Sequence, residues 1–396
     1  VYGLILDAGA WWDFWPVVAV QAALTIWILA LTLRTHGLGK RPWLLLGIVA
    51  VLSIVTTLPW LTSILLTDIF CGLGVLALYL VVMRGDALRW WECIALIVLA
   101  AVSAATHSAT LAVQLAILAA GLLLSLFFRA RVPLTGIARG IAALALGAVM
   151  VFAAGFAVAG KLAWTPGGFA LSFGRMLQDG VVARYLNDHC PDPALRLCAY
   201  KDQLPRDADV WFWGSDLFDK LGRFAGLGAE MQKIALESLI DYPIMQIETA
   251  AVATAKQLVD VRTGEGVLNS IWHTYAIIEA HTPWAVPAMH AARQQKGEIS
   301  FAAINRLQWP AGLLSMALLP IIAIVYARRK QLSDIGELAA TVTLAILANA
   351  FVCGALSNPH DRYGARIVWV ATLVVAIAIA RLILAREPLG PRSNLT

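Results

Sequence analysis

The chain has 396 residues, 60% of them hydrophobic and only 14% charged, with a net charge of +5 and a mean hydropathy of +0.75. Soluble domains carry about 25% charged residues, so this composition excludes an ordinary soluble protein. It also gives no sign of nucleic-acid binding: the Lys and Arg residues sit beside apolar runs, where they act as topology determinants.

Nine apolar runs are predicted to cross the membrane as helices, at about 13–34, 43–58, 61–83, 91–106, 108–128, 136–160, 309–327, 334–356 and 364–385. Crossing roughly 30 Å of hydrocarbon takes about 20 helical residues, whereas membrane β-strands are about ten residues long and alternate. The fold class is therefore an all-α polytopic membrane protein. The bases alternate between connections. Arg34, Lys40 and Arg41; Arg84 and Arg89; Arg129, Arg131 and Arg139; Arg328, Arg329 and Lys330; and Arg381, Arg386 and Arg392 fall on one set. The turns at Pro59-Trp60 and His107-Ser108 have none, and 357–364 holds only Arg362. The positive-inside rule puts the base-rich set, with the C-terminus, in the cytoplasm. The other face is then the periplasm in a Gram-negative bacterial inner membrane, or the exterior or lumen otherwise. Val1 falls on that external side, so at least one further span is expected upstream. Most Trp residues, including Trp11, Trp12, Trp43, Trp90, Trp91 and Trp309, fall at span ends, where amphipathic rings favour the headgroup level.

Three parts follow from this layout: a membrane module at 1–160, a mostly helical external domain at 161–308, and a second membrane module at 309–396. In the external part, apolar positions recur every three or four residues over about 216–256, as in amphipathic helices. Cys190 and Cys198, eight apart in an oxidising compartment, are expected to pair as a disulfide, two free buried thiols being the alternative. Cys71, Cys93 and Cys353 lie in apolar runs and read as small packing residues. No Cys/His spacing points to zinc or another metal site.

The unusual polar residues gather at the base-poor face. Asp68 is the only ionisable residue of the run 61–83. A carboxylate at that depth faces a polar cavity or a partner, as a base, a cation ligand or a helix-to-helix hydrogen bond. His107 joins two apolar runs with almost no spacer, so its turn is recessed. Irregular backbone at such depth lines a cavity or is buried in protein. An outward-open cavity joining Asp68, His107 and Arg366 is therefore expected. The third element runs through Pro359, His360, Asp361, Arg362, Tyr363 and Arg366. Arg362 and Arg366 are four apart and share a helix face. Two guanidiniums there suit a phosphate, with Asp361 bracing one of them. Lipid anchoring and a structural salt bridge are the alternatives for this pair. Asp7, beside Trp11-Trp12, is a weaker candidate for a loop over the cavity.

This layout resembles the GT-C superfamily of membrane glycosyltransferases, in the protein mannosyltransferase and aminoarabinose transferase branch. With one span upstream, the insert at 161–308 follows the seventh span, as in that branch, and a phosphate-suited Arg pair lies near the outer boundary. The stretch from Leu58-Pro59-Trp60 to Asp68-Ile69-Phe70, with His360-Asp361-Arg362-Tyr363, also resembles uncharacterised bacterial integral membrane proteins. The GT-C resemblance implies a polyprenyl-phosphate sugar as donor, a divalent cation as a possible cofactor, and a catalytic acid early in the first external loop. Asp7 is the nearest acid present, and no Asp-x-Asp or Glu-x-Asp pair precedes it. Asp7, Asp68 and His107 are then the catalytic candidates, and His360, Asp361, Arg362, Tyr363 and Arg366 the substrate-binding ones. Two other classes fit the same residues. One is a transporter or flippase of a lipid-linked substrate, against which stand the few polar residues in the cytoplasmic halves of the spans. The other is a non-catalytic subunit that binds protein partners in the membrane.

Overall fold

The computed structural model describes residues 1–127, 132–160, 162, 168–267, 272–329 and 332–386. Arg129, Arg131, Lys330 and Arg392, and the side chain of Arg386, lie outside the described residues. The described residues form nineteen α-helices and no strand. The first group is α1 (Tyr2–Gly9), α2 (Trp15–Thr35), α3 (Pro42–Val55), α4 (Leu58–Ser63), α5 (Ile69–Met83), α6 (Trp90–Thr106), α7 (Ser108–Phe127) and α8 (Leu134–Ala159). The middle group is α9 (Gly168–Gln178), α10 (Val181–His189), α11 (Ala208–Gly214), α12 (Asp216–Lys220), α13 (Arg223–Asp241), α14 (Pro243–Val259), α15 (Trp272–His281) and α16 (Val286–Ala291). The last is α17 (Ala302–Ala327), α18 (Ser333–Ala355) and α19 (Asp361–Arg386). Pro stands in the first turn of α2, α3, α4 and α14, where its fixed φ suits a helix start and its missing N–H costs nothing.

Among the described residues, six helices are long and apolar enough to cross a membrane: α2, α7, α8, α17, α18 and α19. The chain is an all-α multi-pass membrane protein. The other three expected spans are apolar helices of 14, 15 and 17 residues, α3, α5 and α6. At 1.5 Å per residue they reach only about 21–26 Å, short of the ~30 Å hydrocarbon core. One reason is local. The run 61–83 was expected as one helix, but the helix breaks after Ser63 and resumes at Ile69. Thr62 and Ser63 bond back to the carbonyls of Pro59 and Trp60, which closes the last turn of α4. Gln21 of α2 then donates to the carbonyls of Thr62 and Ile64, satisfying groups that hydrocarbon could not. Asp68 thus sits just before the first residue of α5 rather than within a span.

Helix α5 is the axis of the bundle. Every residue from Ile69 to Val82 is buried, against α2, α6, α7, α8, α18 and α19. Small residues allow this packing: a Cβ on Gly136 of α8 would stand 2.0 Å from the carbonyl oxygen of Val82. The helices α9–α13 have a second core, built on Phe173, Val182, Tyr185, Trp211, Phe218 and Met231. It is stapled at its edge by the disulfide Cys190–Cys198, with an S–S distance of 2.02 Å. α14 leaves that unit and lies across α18, where a Cβ on Gly354 would meet the carbonyl of Ala253 at 2.6 Å. α17 begins at Ala302 rather than near 309, so the last helix of the insert is continuous with a span.

Candidate functional site

The site forms where α5, α18 and α19 meet the segment 259–267. The break at 64–68 leaves Asp68 buried at the head of α5. Arg362 and Arg366 of α19 both turn to it. Arg362 Nε lies 3.4 Å from Oδ2 and Arg366 Nη1 3.8 Å from Oδ1. Asp68 Oδ1 is buried with no hydrogen-bond partner. Arg366 is fully buried. Its Nε and Nη2 both donate to Asn349 Oδ1, at 3.1 and 2.7 Å, and Nη2 also reaches Cys353 Sγ at 3.1 Å. Both guanidiniums lie over the ring of Tyr363, at 5.2 and 5.4 Å. The arginines do share a face, as their spacing predicts, and both approach one carboxylate; Arg366 is enclosed, whereas 32% of the Arg362 side chain is exposed.

The lid over this centre was not foreseen. After α14 the chain runs as 260–267 along the start of α19. Gly364 permits the approach, because a Cβ there would stand 2.1 Å from the Asp260 carbonyl. Side chains then cap backbone N–H groups in both directions. Asp361 Oδ1 accepts from the Arg262 N–H at 2.8 Å, and Glu265 Oε2 accepts from the Arg362 N–H at 2.7 Å. Gln257 bridges to His360 with two bonds, to its carbonyl at 2.8 Å and from its N–H at 3.0 Å. Asn305 exchanges two 2.8 Å bonds with the Thr263 backbone. Gly264 and Gly266 hold φ of +129° and +87°, a region closed to most side chains, so the Gly-Glu-Gly sequence is what lets the segment fold over Arg362. Beneath it a cavity of ≈ 20 Å³ is lined by Asp68, Glu265 and Arg362 among others. That is room for about one water.

Of the three residues expected to share an outward-open cavity, Asp68, His107 and Arg366, only Asp68 lines the small cavity beneath the lid. His107 forms the one-residue turn between α6 and α7, accepting from the Ala109 N–H at 3.2 Å. It lies within electrostatic reach of both arginines but does not line the cavity. Asp361 does not brace Arg362 or Arg366; it turns to Arg262, whose Nη1 lies 3.9 Å from Oδ2. Asp7 is exposed on α1, and no hydrogen bond or ion pair joins it to Asp68 or the arginines among the described residues.

Outside the lid opens a polar groove of ≈ 640 Å³. Lys256, Asp260, Arg262, Glu265, His360 and Asp361 all line it. It thus joins Lys256, Arg262 and the His360 imidazole to three carboxylates that come from distant parts of the chain. Burial, and then the charge of Asp361, raise the Asp260 carboxyl above the usual carboxylate range, against the pull of Lys256 and Arg262. His360 stands between two acids, with Nδ1 2.5 Å from Glu265 and Nε2 3.5 Å from Asp209. Burial would lower its pKa, but the hydrogen bonds and charges of Asp209 and Glu265 outweigh that and hold it at about 9. Of the groove residues, sequence reasoning singled out only His360 and Asp361. The turn signal Gly264-Glu265-Gly266 in a charged stretch was the one clue to the rest. Among the described residues no group of three His, Cys, Asp or Glu is arranged to hold a metal ion.

A second polar cluster closes the opposite end of α5. His36 is fully buried, with Nε2 3.1 Å from Tyr79 Oη, which donates to the Asp334 carbonyl at 3.1 Å. Arg84 donates to the Thr35 carbonyl at 2.6 Å, and Arg381 bonds to the carbonyl of His36. Beside them Arg34 holds Glu92 in a two-bond fork at 2.7 and 2.5 Å. Bases of the Arg-rich connections thus meet at one end of the bundle.

No protein-family model, curated protein or solved structure matches the chain.

Proposed function

We propose that the chain is a membrane glycosyltransferase that takes a sugar from a polyprenyl-phosphate donor at the membrane face where helices α9–α16 gather. The observation that carries this reading is the ≈ 640 Å³ groove, where Lys256 and Arg262 face Asp260, Glu265 and Asp361 beside the outer ends of apolar helices. Phosphate recognition needs cations and acceptor activation needs a base, and both kinds of group line one wall. Asp260 is the base in this reading. It takes the proton of the acceptor hydroxyl, whose oxygen attacks the anomeric carbon. The bond from that carbon to the phosphate oxygen breaks, and its electron pair leaves with the polyprenyl phosphate. Arg262 and Lys256 stabilise the charge that develops there. Arg362, Arg366 and Asp68 act as positioning residues, holding the lid that carries Glu265 and Arg262.

Purified protein in nanodiscs, given a short-chain polyprenyl-phosphate sugar and an acceptor hydroxyl compound, is expected to release polyprenyl phosphate. Neither binding nor release, together with an unchanged cellular phenotype for Arg262→Gln, would sink the proposal.

A second reading, transport of a lipid-linked substrate, draws on the polar cluster of His36, Tyr79, Asp334 and Arg381 at the other end of α5. Movement of an unchanged lipid-linked sugar across proteoliposomes would favour it over the enzyme.

A further inference from the structure

The helical unit α9–α13 carries a pocket that shares no residue with the polar groove. It has a volume of ≈ 530 Å³ and is walled by α9, α10 and the 3₁₀ turn Arg196–Gln203 with the loop that follows. Small-molecule sites have volumes of about 300–1,000 Å³. The walls are fixed from behind. Arg175, only 3% exposed, holds Asp179 Oδ2 at 2.8 Å and is itself held by Thr249 and Gln246 at 2.9 and 2.6 Å. The Cys190–Cys198 disulfide anchors the 3₁₀ turn, and Arg196 Nη1 of that turn donates to the carbonyls of Leu221 and Gly226, each at 3.2 Å. Gly180, at φ +81°, makes the turn from α9 into α10.

Six polar side chains line the pocket: Gln178, Asp179, Asn187, Lys201, Asp202 and Arg206. None of them is enclosed. Asp179 keeps 19% of its side chain exposed, and the other five are half-buried or exposed. Asn187 Oδ1 accepts from Lys201 Nζ at 3.2 Å, and Gln178 Oε1 accepts from the Ala208 N–H at 3.5 Å. Each amide thus keeps its N–H donors for a ligand.

The mixed signs select the ligand. An anion would meet Asp179 and Asp202, and a cation would meet Lys201 and Arg206. An apolar body would strip water from all six side chains without replacing its hydrogen bonds. A hydroxyl group both donates and accepts, so it suits every one of them. We propose that this pocket binds a neutral saccharide, whose hydroxyls donate to Asp179 and Asp202 and accept from Gln178, Asn187, Lys201 and Arg206. The site needs no part of the glycosyltransferase reading and stands or falls separately from it.

The test uses the whole protein in nanodiscs with maltotriose, cellotriose and triacetylchitotriose as probes. Saturation-transfer NMR is expected to show at least one of them bound. Ala183→Trp, at an exposed position in the pocket wall, fills the space and weakens that binding about tenfold. Ala229→Trp, exposed on α13 and outside the pocket, leaves it unchanged. No signal from any of the probes, or equal signals from Ala183→Trp and the unmutated protein, overturns the proposal. Competitors test it without mutation: neither glycine nor inorganic phosphate, at the concentration of the sugar, is expected to displace it. Displacement by glycine would mark a site for zwitterions and displacement by phosphate a site for anions, and either overturns the proposal.

Discussion

His360 Nδ1 lies 2.5 Å from Glu265 Oε1, and this contact ties the 260–267 lid to the start of α19. The two residues belong to different parts of the chain and meet only because the lid doubles back over Arg362. The imidazole is also drawn to Asp209 of α11, so one ring links the lid, the outer helical unit and a span.

The first prediction concerns pH. The folded pKa of His360, about 9, is above the ordinary histidine value of about 6.5. A raised pKa stabilises fully below the unfolded value, and the effect is lost as pH rises through the folded one. The lid should therefore hold at pH 6 and loosen between about 6.5 and 9. Glu265 and Asp209 are both lowered, so their share of the clasp is lost only in acid. Hydrogen exchange of 260–267 followed from pH 6 to pH 10, corrected for intrinsic rates, checks this. His360→Gln should remove the pH step, and a flat profile in the wild type would refute the clasp.

Asp68 is the counter-charge for two guanidiniums, one of them fully enclosed. Removing one partner of a buried pair strands the other, at a cost of about 3–5 kcal/mol. Asp68→Asn should lower thermal stability by that order. Adding Arg366→Met to Asp68→Asn should cost less than the sum of the two single changes. Additive melting shifts would mean that the three residues do not act together.

Gly364 and Gly354 are needed for close approach. A Cβ at Gly364 would press on the Asp260 carbonyl, and overpacking of this kind costs about 1–3 kcal/mol. Gly364→Ala should open 260–267 to proteolysis while the spans stay folded. Gly228→Ala, where nothing lies within 4 Å, is the matched control and should leave proteolysis unchanged.

If Asp260 is the base, Asp260→Asn should cut turnover by about 10²–10⁴-fold with little change in donor binding. The carboxyl must be ionised to accept a proton, and its pKa is raised. Turnover should thus fall on the acid side at a higher pH than for an ordinary carboxylate. A steady-state pH profile compared with the Glu265→Gln profile reads this out. An acid limb that survives in Asp260→Asn would assign the base elsewhere.

How much of this was legible depended on the range of the interactions. The apolar helices announce themselves, because a long run without charge has few alternatives to crossing lipid. The pairing of Arg362 with Arg366 was visible in their four-residue spacing. The break at 64–68 was not, since Ile64, Leu65 and Leu66 are as apolar as any helix. What ends the helix is back-bonding by Thr62 and Ser63, with Gln21 of another helix taking up the exposed carbonyls. The lid was equally hidden, because Asp260 and Glu265 gain their meaning from a segment about a hundred residues away.

By itself the sequence determined that this protein lies in a membrane and where its long apolar helices run, though not their breaks, since hydropathy and periodicity are local properties of the chain. It also located the polar residues near the span ends opposite the base-rich connections. Only the tertiary structure decided what those residues face. Packing brought Arg362 and the fully buried Arg366 onto Asp68, and close approach at Gly364 brought Asp260 and Glu265 beside Asp361. A charge in low dielectric takes the nearest compensating partner, and which partner is nearest is a property of the fold alone.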